Sequence, residues 1–77
     1  MEKDLIEYIA KSLVDDPSQV QVNVVEAEKT TVLELRVAEG DIGKVIGKHG
    51  RIAKSIRTVL QAAGARTGKH TALEILD

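Results

Sequence analysis

Ile42-Gly43-Lys44-Val45-Ile46-Gly47-Lys48-His49-Gly50-Arg51-Ile52 is where the apolar period of this chain changes. Upstream, apolar residues alternate with polar ones; from here they recur at helical spacing. Asp41 is a candidate N-cap for a short helix whose apolar residues are Ile42, Val45 and Ile46. Gly47-Lys48-His49-Gly50 interrupts it, and a second helix runs from about Arg51 to Ala63. Its stripe is Ile52, Ile56, Val59, Leu60 and Ala63, at spacings of 4, 3, 1 and 3. Gly64 is placed to end that helix in the left-handed conformation. Two helices joined by four residues need a sharp reversal. Gly47 can leave the first at positive φ, and Gly50 can begin the second with no Cβ in the way.

Outward from this stretch, the rest of the chain supplies a sheet and one more helix. Residues 2–14 carry Leu5, Ile6, Ile9 and Leu13 on one helical stripe with Ala10 beside it, and Asp15-Asp16-Pro17 closes the helix. Residues 19–25 alternate, with Val20, Val22 and Val24 against Gln19, Gln21 and Asn23. Residues 31–38 alternate again, with Leu33, Leu35 and Val37 on the core side. The short polar link between them predicts a β-hairpin. A closing strand over 70–76 places Leu73 and Ile75 inward. The two helices between residues 31–38 and 70–76 make a crossover long enough to pair those strands in parallel. The expected fold is therefore α+β, in the order αββααβ: a three-stranded mixed sheet covered on one face by three helices. Its open face is expected to carry Gln19, Gln21, Asn23, Glu34 and Arg36.

At 77 residues the chain is read as a single small domain, and 43% apolar with 30% charged residues marks it as globular. Without cysteine, disulfides and thiolate metal sites are excluded, and His49 and His70 lie too far apart in sequence for a convincing zinc site. No apolar run approaches the roughly 20 residues of a membrane helix. The expectation is a cytoplasmic protein with no membrane insertion, no cofactor and no metal. Tyr8, the one aromatic residue, excludes nucleic-acid modules built on a platform of stacking rings.

The net charge of −1 conceals a segregation. Residues 1–39 carry four basic and nine acidic side chains. Residues 40–70 carry Lys44, Lys48, Arg51, Lys54, Arg57, Arg66 and Lys69 against Asp41 alone. Such a block is either a solvated helix face or an anion-binding surface. The glycine joint favours the second. A turn built only for tightness would accept Asn, Ser or Asp, yet its interior is Lys48 and His49, flanked by Lys44 and Arg51. Amides in the first turn of the following helix lack intrahelical partners, and absent side chains at Gly47 and Gly50 let a phosphodiester approach the main chain. Nucleotide-binding loops do not fit. Gly43 precedes Gly47 by one residue too few for a P-loop, and His49 stands where the magnesium-binding hydroxyl belongs. The spacing of Gly43, Gly47 and Gly50 also misses the dinucleotide fingerprint. Neither histidine has a nucleophile or carboxylate partner in a catalytic arrangement, so the chain is not read as an enzyme.

The run Ile42–Ile52 resembles the signature of KH domains: an Ile-Gly turn, an apolar pair, a Gly-x-x-Gly loop and a following Ile. The likeness extends over the whole chain in the type II arrangement. In size and single-domain organisation it is similar to the small bacterial single-KH proteins of the KhpA group. The resemblance implies single-stranded RNA binding, with the backbone of about four nucleotides clamped by the loop and the bases in an apolar groove. Carried onto this sequence, Gly47, Lys48, His49 and Gly50 are the clamp, and Lys44, Arg51 and Lys54 are backbone-contact candidates. Ile42, Val45, Ile46 and Ile52 are shared between groove floor and core, and Gly43 is read as a helix-packing glycine. Arg57 and Arg66 are read as solvated. The resemblance also implies an RNA chaperone or post-transcriptional regulator with weak sequence preference. It further suggests a homodimer, or a heterodimer with a larger KH-containing protein, and a module for protein association is the competing reading.

Overall fold

The computed structural model describes residues 2–76. Helix α1 (Glu2–Leu13) leads to strands β1 (Gln21–Glu26) and β2 (Thr30–Arg36). Helices α2 (Ile42–Ile46) and α3 (Arg51–Thr67) follow, and strand β3 (His70–Leu76) closes the sheet. The order αββααβ is the expected one. The strands lie β1-β2-β3, with β1 and β2 antiparallel and β2 and β3 parallel. Leu33 stands opposite both Val24 and Leu73, which sets the register across all three.

The core lies between sheet and helices. Val22, Leu33, Leu35 and Leu73 rise from the sheet to meet Ile6 and Ala10 of α1, Val45 of α2, and Ile56 and Leu60 of α3. Because a strand alternates, Glu34, Arg36 and Asn23 are left on the far face, as expected from the sequence. Gln19, assigned to that face as well, instead lies in a 3₁₀ turn (Pro17–Gln19) ahead of β1.

Several expectations are corrected. Val24 is on the inner side of β1 yet exposed, because it borders a shallow cleft where the first turn of α1 offers only Glu2 and Lys3. Val37 is buried but follows the end of β2. Helix α3 does not stop at Gly64. It continues to Thr67, and Gly68 provides the left-handed C-cap at φ 73°. Gly64 is a buried residue inside the helix, where a Cβ would collide with the carbonyl oxygen of Lys69. Its own carbonyl accepts from the Lys69 amide at 3.2 Å and from the Thr67 hydroxyl at 3.1 Å. The glycine therefore lets β3 start against the last turn of α3. Val59, expected on the buried stripe, is 51% exposed, and Ala53 is buried instead.

Asp41 is not a side-chain cap for α2. Its carboxylate turns away to the link between α1 and β1, as described below.

Candidate nucleic-acid interface

The joint between α2 and α3 reverses the chain through three left-handed residues. Gly47 has φ 80°, His49 φ 58° and Gly50 φ 72°. Gly47 is obligatory twice over. An L side chain is strained at that φ, and a Cβ there would lie 2.6 Å from Cγ1 of Ile52. Gly50 is different: a Cβ would meet nothing within 4 Å, so conformation and not space demands the glycine. The left-handed backbone at His49 has no counterpart in the sequence pattern; histidine is one of the residues that tolerates it better than most.

The loop closes on itself. The Gly50 amide donates to the Gly47 carbonyl at 3.0 Å, and the Arg51 amide donates to the Lys48 carbonyl. The amides of Gly50 and Arg51, at the start of α3, are thus already used. Gly50 has no side chain to cap α3, so amides further into its first turn face whatever approaches the loop. Lys48 and His49 are exposed at the tip, Arg51 follows immediately, and Lys54 stands one turn along α3. Among the described residues, Lys48, Arg51 and Lys54 make no ion pair, leaving their charges to solvent or to a ligand.

Lys44 is placed otherwise. Its ammonium lies 3.1 Å from Oδ2 of Asp15 and 3.4 Å from Oδ1 of Asp41. Hydrogen bonds first to Asp15 and then to Asp41 raise its pKa above the ordinary lysine value. It is half-exposed and directed toward the end of α1, not toward the loop tip.

The apolar candidates divide. Val45 is 1% exposed and belongs to the core. Ile42 and Ile52 are half-buried against it, and Ile52 packs over Gly47. Ile46, 37% exposed, is the one with most surface to offer a base. Gly43 does not serve close helix packing, since a Cβ there would meet no atom within 4 Å. Arg57, read as solvated, instead directs Nη2 toward the main-chain carbonyl of Leu73 at 3.5 Å. Local patterning carries no signal for that contact, which arises from the packing of α3 on β3.

A glycine-bounded turn between two short-linked helices, set in an αββααβ frame with a parallel closing strand, defines a KH domain of the type II arrangement. Residues 3–75 match the KhpA/KhpB KH-domain family, and the chain belongs to it. It is 57% identical over 76 residues to the RNA-binding protein KhpA of Borreliella burgdorferi, covering 99% of this chain and 93% of that one. It is 53% identical to the RNA-binding protein KhpA of Aquifex aeolicus, over 97% of this chain and 95% of the relative. Among solved structures, Aquifex aeolicus Era bound to GDP and AlF4⁻ shares the fold with a TM-score of 0.63 at 22% identity. That match covers 96% of this chain and 29% of Era.

Proposed function

We propose that this chain is a single-stranded RNA-binding protein that grips the sugar–phosphate backbone at the Gly47–Gly50 loop. The observation that carries the reading is the exposed Lys48–His49 pair, held at the mouth of α3 by left-handed backbone at Gly47 and Gly50. It is supported by relatives over nearly the full chain that are named RNA-binding proteins. Lys48, His49 and Arg51 supply charge and hydrogen-bond donors at the turn, and Lys54 extends them along the helix. The gripping of phosphate fixes the strand, while Ile46 and the exposed edge of Ile52 offer aliphatic contact to bases. Such contacts discriminate bases weakly, which suits an RNA chaperone or post-transcriptional regulator. We read the chain as a single KH domain with a binding function and not a catalytic one, acting in the cytoplasm. Among the described residues no helix is long and apolar enough to cross a membrane.

The test is a double substitution, Lys48→Asp with His49→Asp. Both side chains are exposed, so the fold should be retained by circular dichroism while RNA affinity is lost. Unchanged affinity in the folded variant would refute the assigned clamp.

A second reading, association with a second copy or with a larger KH-containing protein, is favoured by apolar surface on the helix layer. Leu5 is 42%, Tyr8 73% and Val59 51% exposed. Association would add to RNA binding, because linking two weak sites raises apparent affinity through effective concentration. Sedimentation of wild type and the loop variant separates the roles: association through these helix surfaces survives loss of the clamp.

A further inference from the structure

We propose that β1 is a self-pairing edge: two copies of the chain join antiparallel along residues 22–26, and their three-stranded sheets fuse edge to edge. The pairing uses no part of the Gly47–Gly50 loop and does not rest on the RNA-binding reading. It is also separate from the helix layer that carries Leu5, Tyr8 and Val59.

The sheet has two free edges, β1 and β3, and they are finished differently. In β3 the His70 amide donates to the Lys29 carbonyl at 3.0 Å, so the main chain of His70 faces β2. By alternation Leu73 turns its carbonyl outward, and Arg57 meets it with Nη2 at 3.5 Å. On β1 the Ala27 amide donates to the Thr30 carbonyl at 2.8 Å, which makes Ala27 and Thr30 a hydrogen-bonded pair. Counting back by twos, Val25, Asn23 and Gln21 turn their main chain to β2. Val22, Val24 and Glu26 are left with N–H and C=O groups pointing off the sheet. Among the described residues no hydrogen bond reaches those groups.

The β1 edge also lacks the devices that keep edges apart. Its sequence, Gln21-Val22-Asn23-Val24-Val25-Glu26, holds no proline and no lysine, and no bulge breaks its register with β2. Its one charge, Glu26, stands at the end and pairs with Lys69 at 3.6 Å. Val24 and Val25, 38% and 47% exposed, put apolar surface on both sides of the strand.

The same residues select a second copy as the occupant. A two-fold axis at Val24 sets this residue opposite the partner's Val24, and Val22 opposite the partner's Glu26. Of the antiparallel alignments, this one alone brings all three outward residues into hydrogen-bonded pairs, each exchanging two bonds. It also keeps the two Glu26 carboxylates about 14 Å apart along the strands. A shift that paired Glu26 with itself would set like charges face to face. Strand β1 lies across the sheet from β3, on which α3 packs, so both α3 helices stay at the outside of the joined sheet.

The test is amide hydrogen exchange of the wild type at low and high protein concentration, beside sedimentation equilibrium. Pairing through β1 slows the amides of Val22, Val24 and Glu26 as concentration rises, by about tenfold where about a tenth of the chains remain free. The Asn23 and Val25 amides, bonded to β2 within one copy, change far less. A contact through the helix layer does not produce that alternation. Val24→Lys places a charge where the copies meet; the side chain is exposed, so circular dichroism should be retained while the concentration dependence disappears. Exchange in the wild type decides the matter even where the variant fails to fold. Amides of Val22, Val24 and Glu26 that ignore concentration would overturn the proposal, as would a protein that sediments as a single chain throughout. Association that survives Val24→Lys but is lost in Val59→Lys would assign the contact to the helix layer and overturn it as well.

Discussion

The carboxylate of Asp41 accepts a hydrogen bond from the backbone amide of Asp16 at 3.1 Å, joining the entry to α2 to the exit of α1 across 25 residues. Its other oxygen accepts from the Asp15 amide at 3.3 Å and pairs with Lys44. At 4% exposure this is a buried acid whose polar partners are all supplied by the chain. The same ammonium of Lys44 binds Asp15, so the three side chains and two amides form one closed knot beneath α2. The Gly47–Gly50 loop begins at the far end of that helix, which makes the knot the part of the fold that sets where the loop starts.

Asp41→Asn should lower the thermal midpoint and shift the amide signals of Asp15, Asp16 and the loop. The asparagine keeps the size but cannot accept at both oxygens or pair with Lys44. Unchanged melting and an unmoved spectrum would show the knot to be incidental.

The same residues give a signed pH response. Burial pushes the Asp41 pKa up, but the amides of Asp16 and Asp15 and the ammonium of Lys44 outweigh it and hold the group below its ordinary 3.8. Its stabilisation is present at neutral pH and is lost as pH falls below about 3.8 through the lower folded value. For Lys44, raised above 10.5, the contribution is complete below that pH and lost as pH climbs through the folded value. Urea titrations across the acid range should show a steeper loss in wild type than in Asp41→Asn. Parallel curves would exclude Asp41 as a source.

The glycines separate by cause. Gly43→Ala places a methyl in open space within a helix and should be neutral or stabilising by up to about 1 kcal/mol. Gly47→Ala combines positive φ with collision against Ile52 and should cost more than the roughly 1–2 kcal/mol of left-handed strain alone. Gly64→Ala forces the Lys69 carbonyl away from α3 and should destabilise by about 1–3 kcal/mol despite better helix propensity. Chemical denaturation of the three variants checks the order; a Gly64→Ala protein as stable as wild type would show that β3 can withdraw freely.

RNA affinity should fall with salt, because neutralising two or three phosphates with protein cations releases condensed counterions into a bulk that already holds them. At about 0.7 log unit per charge for single strands, that is roughly a 7- to 20-fold loss between 50 and 200 mM salt. Lys44→Met should leave the slope unchanged, because its ammonium is engaged by Asp15 and Asp41. Lys48→Met should reduce it by about 0.7. A Lys44→Met slope reduced as much as that of Lys48→Met would show that the ion pairs open to admit RNA.

What the sequence made legible was whatever is governed by neighbours a few residues apart. Leu33 and Leu35 alternating with Glu34 marked β2, and the length between it and Leu73 dictated a parallel closing strand. Gly47 announced the reversal that places Lys48 and His49 at the tip. The rest depends on groups distant along the chain. Asp41 at a helix start looks like a cap, and only the arrival of the Asp15 and Asp16 amides gives it another use. Gly64 looks like a terminator until Lys69 folds back against it. Arg57 looks solvated until α3 docks on β3. Periodicity likewise marks Val24 and Val59 as inward-facing but says nothing of whether a second layer extends over them; here it does not.

The parallel pairing of β2 with β3 has a further consequence for motion. The whole segment from α2 through α3 bridges two strands hydrogen-bonded to each other, so the Gly47–Gly50 loop is suspended at both ends from one sheet. Fraying of β3 would release the far anchor of α3, so opening of that strand and slackening of the turn are expected as one cooperative event. A strand of RNA seated at the turn should therefore restrain β3 as well, and slowed amide hydrogen exchange in Leu73 and Ile75 would register occupancy of the loop from the closing strand.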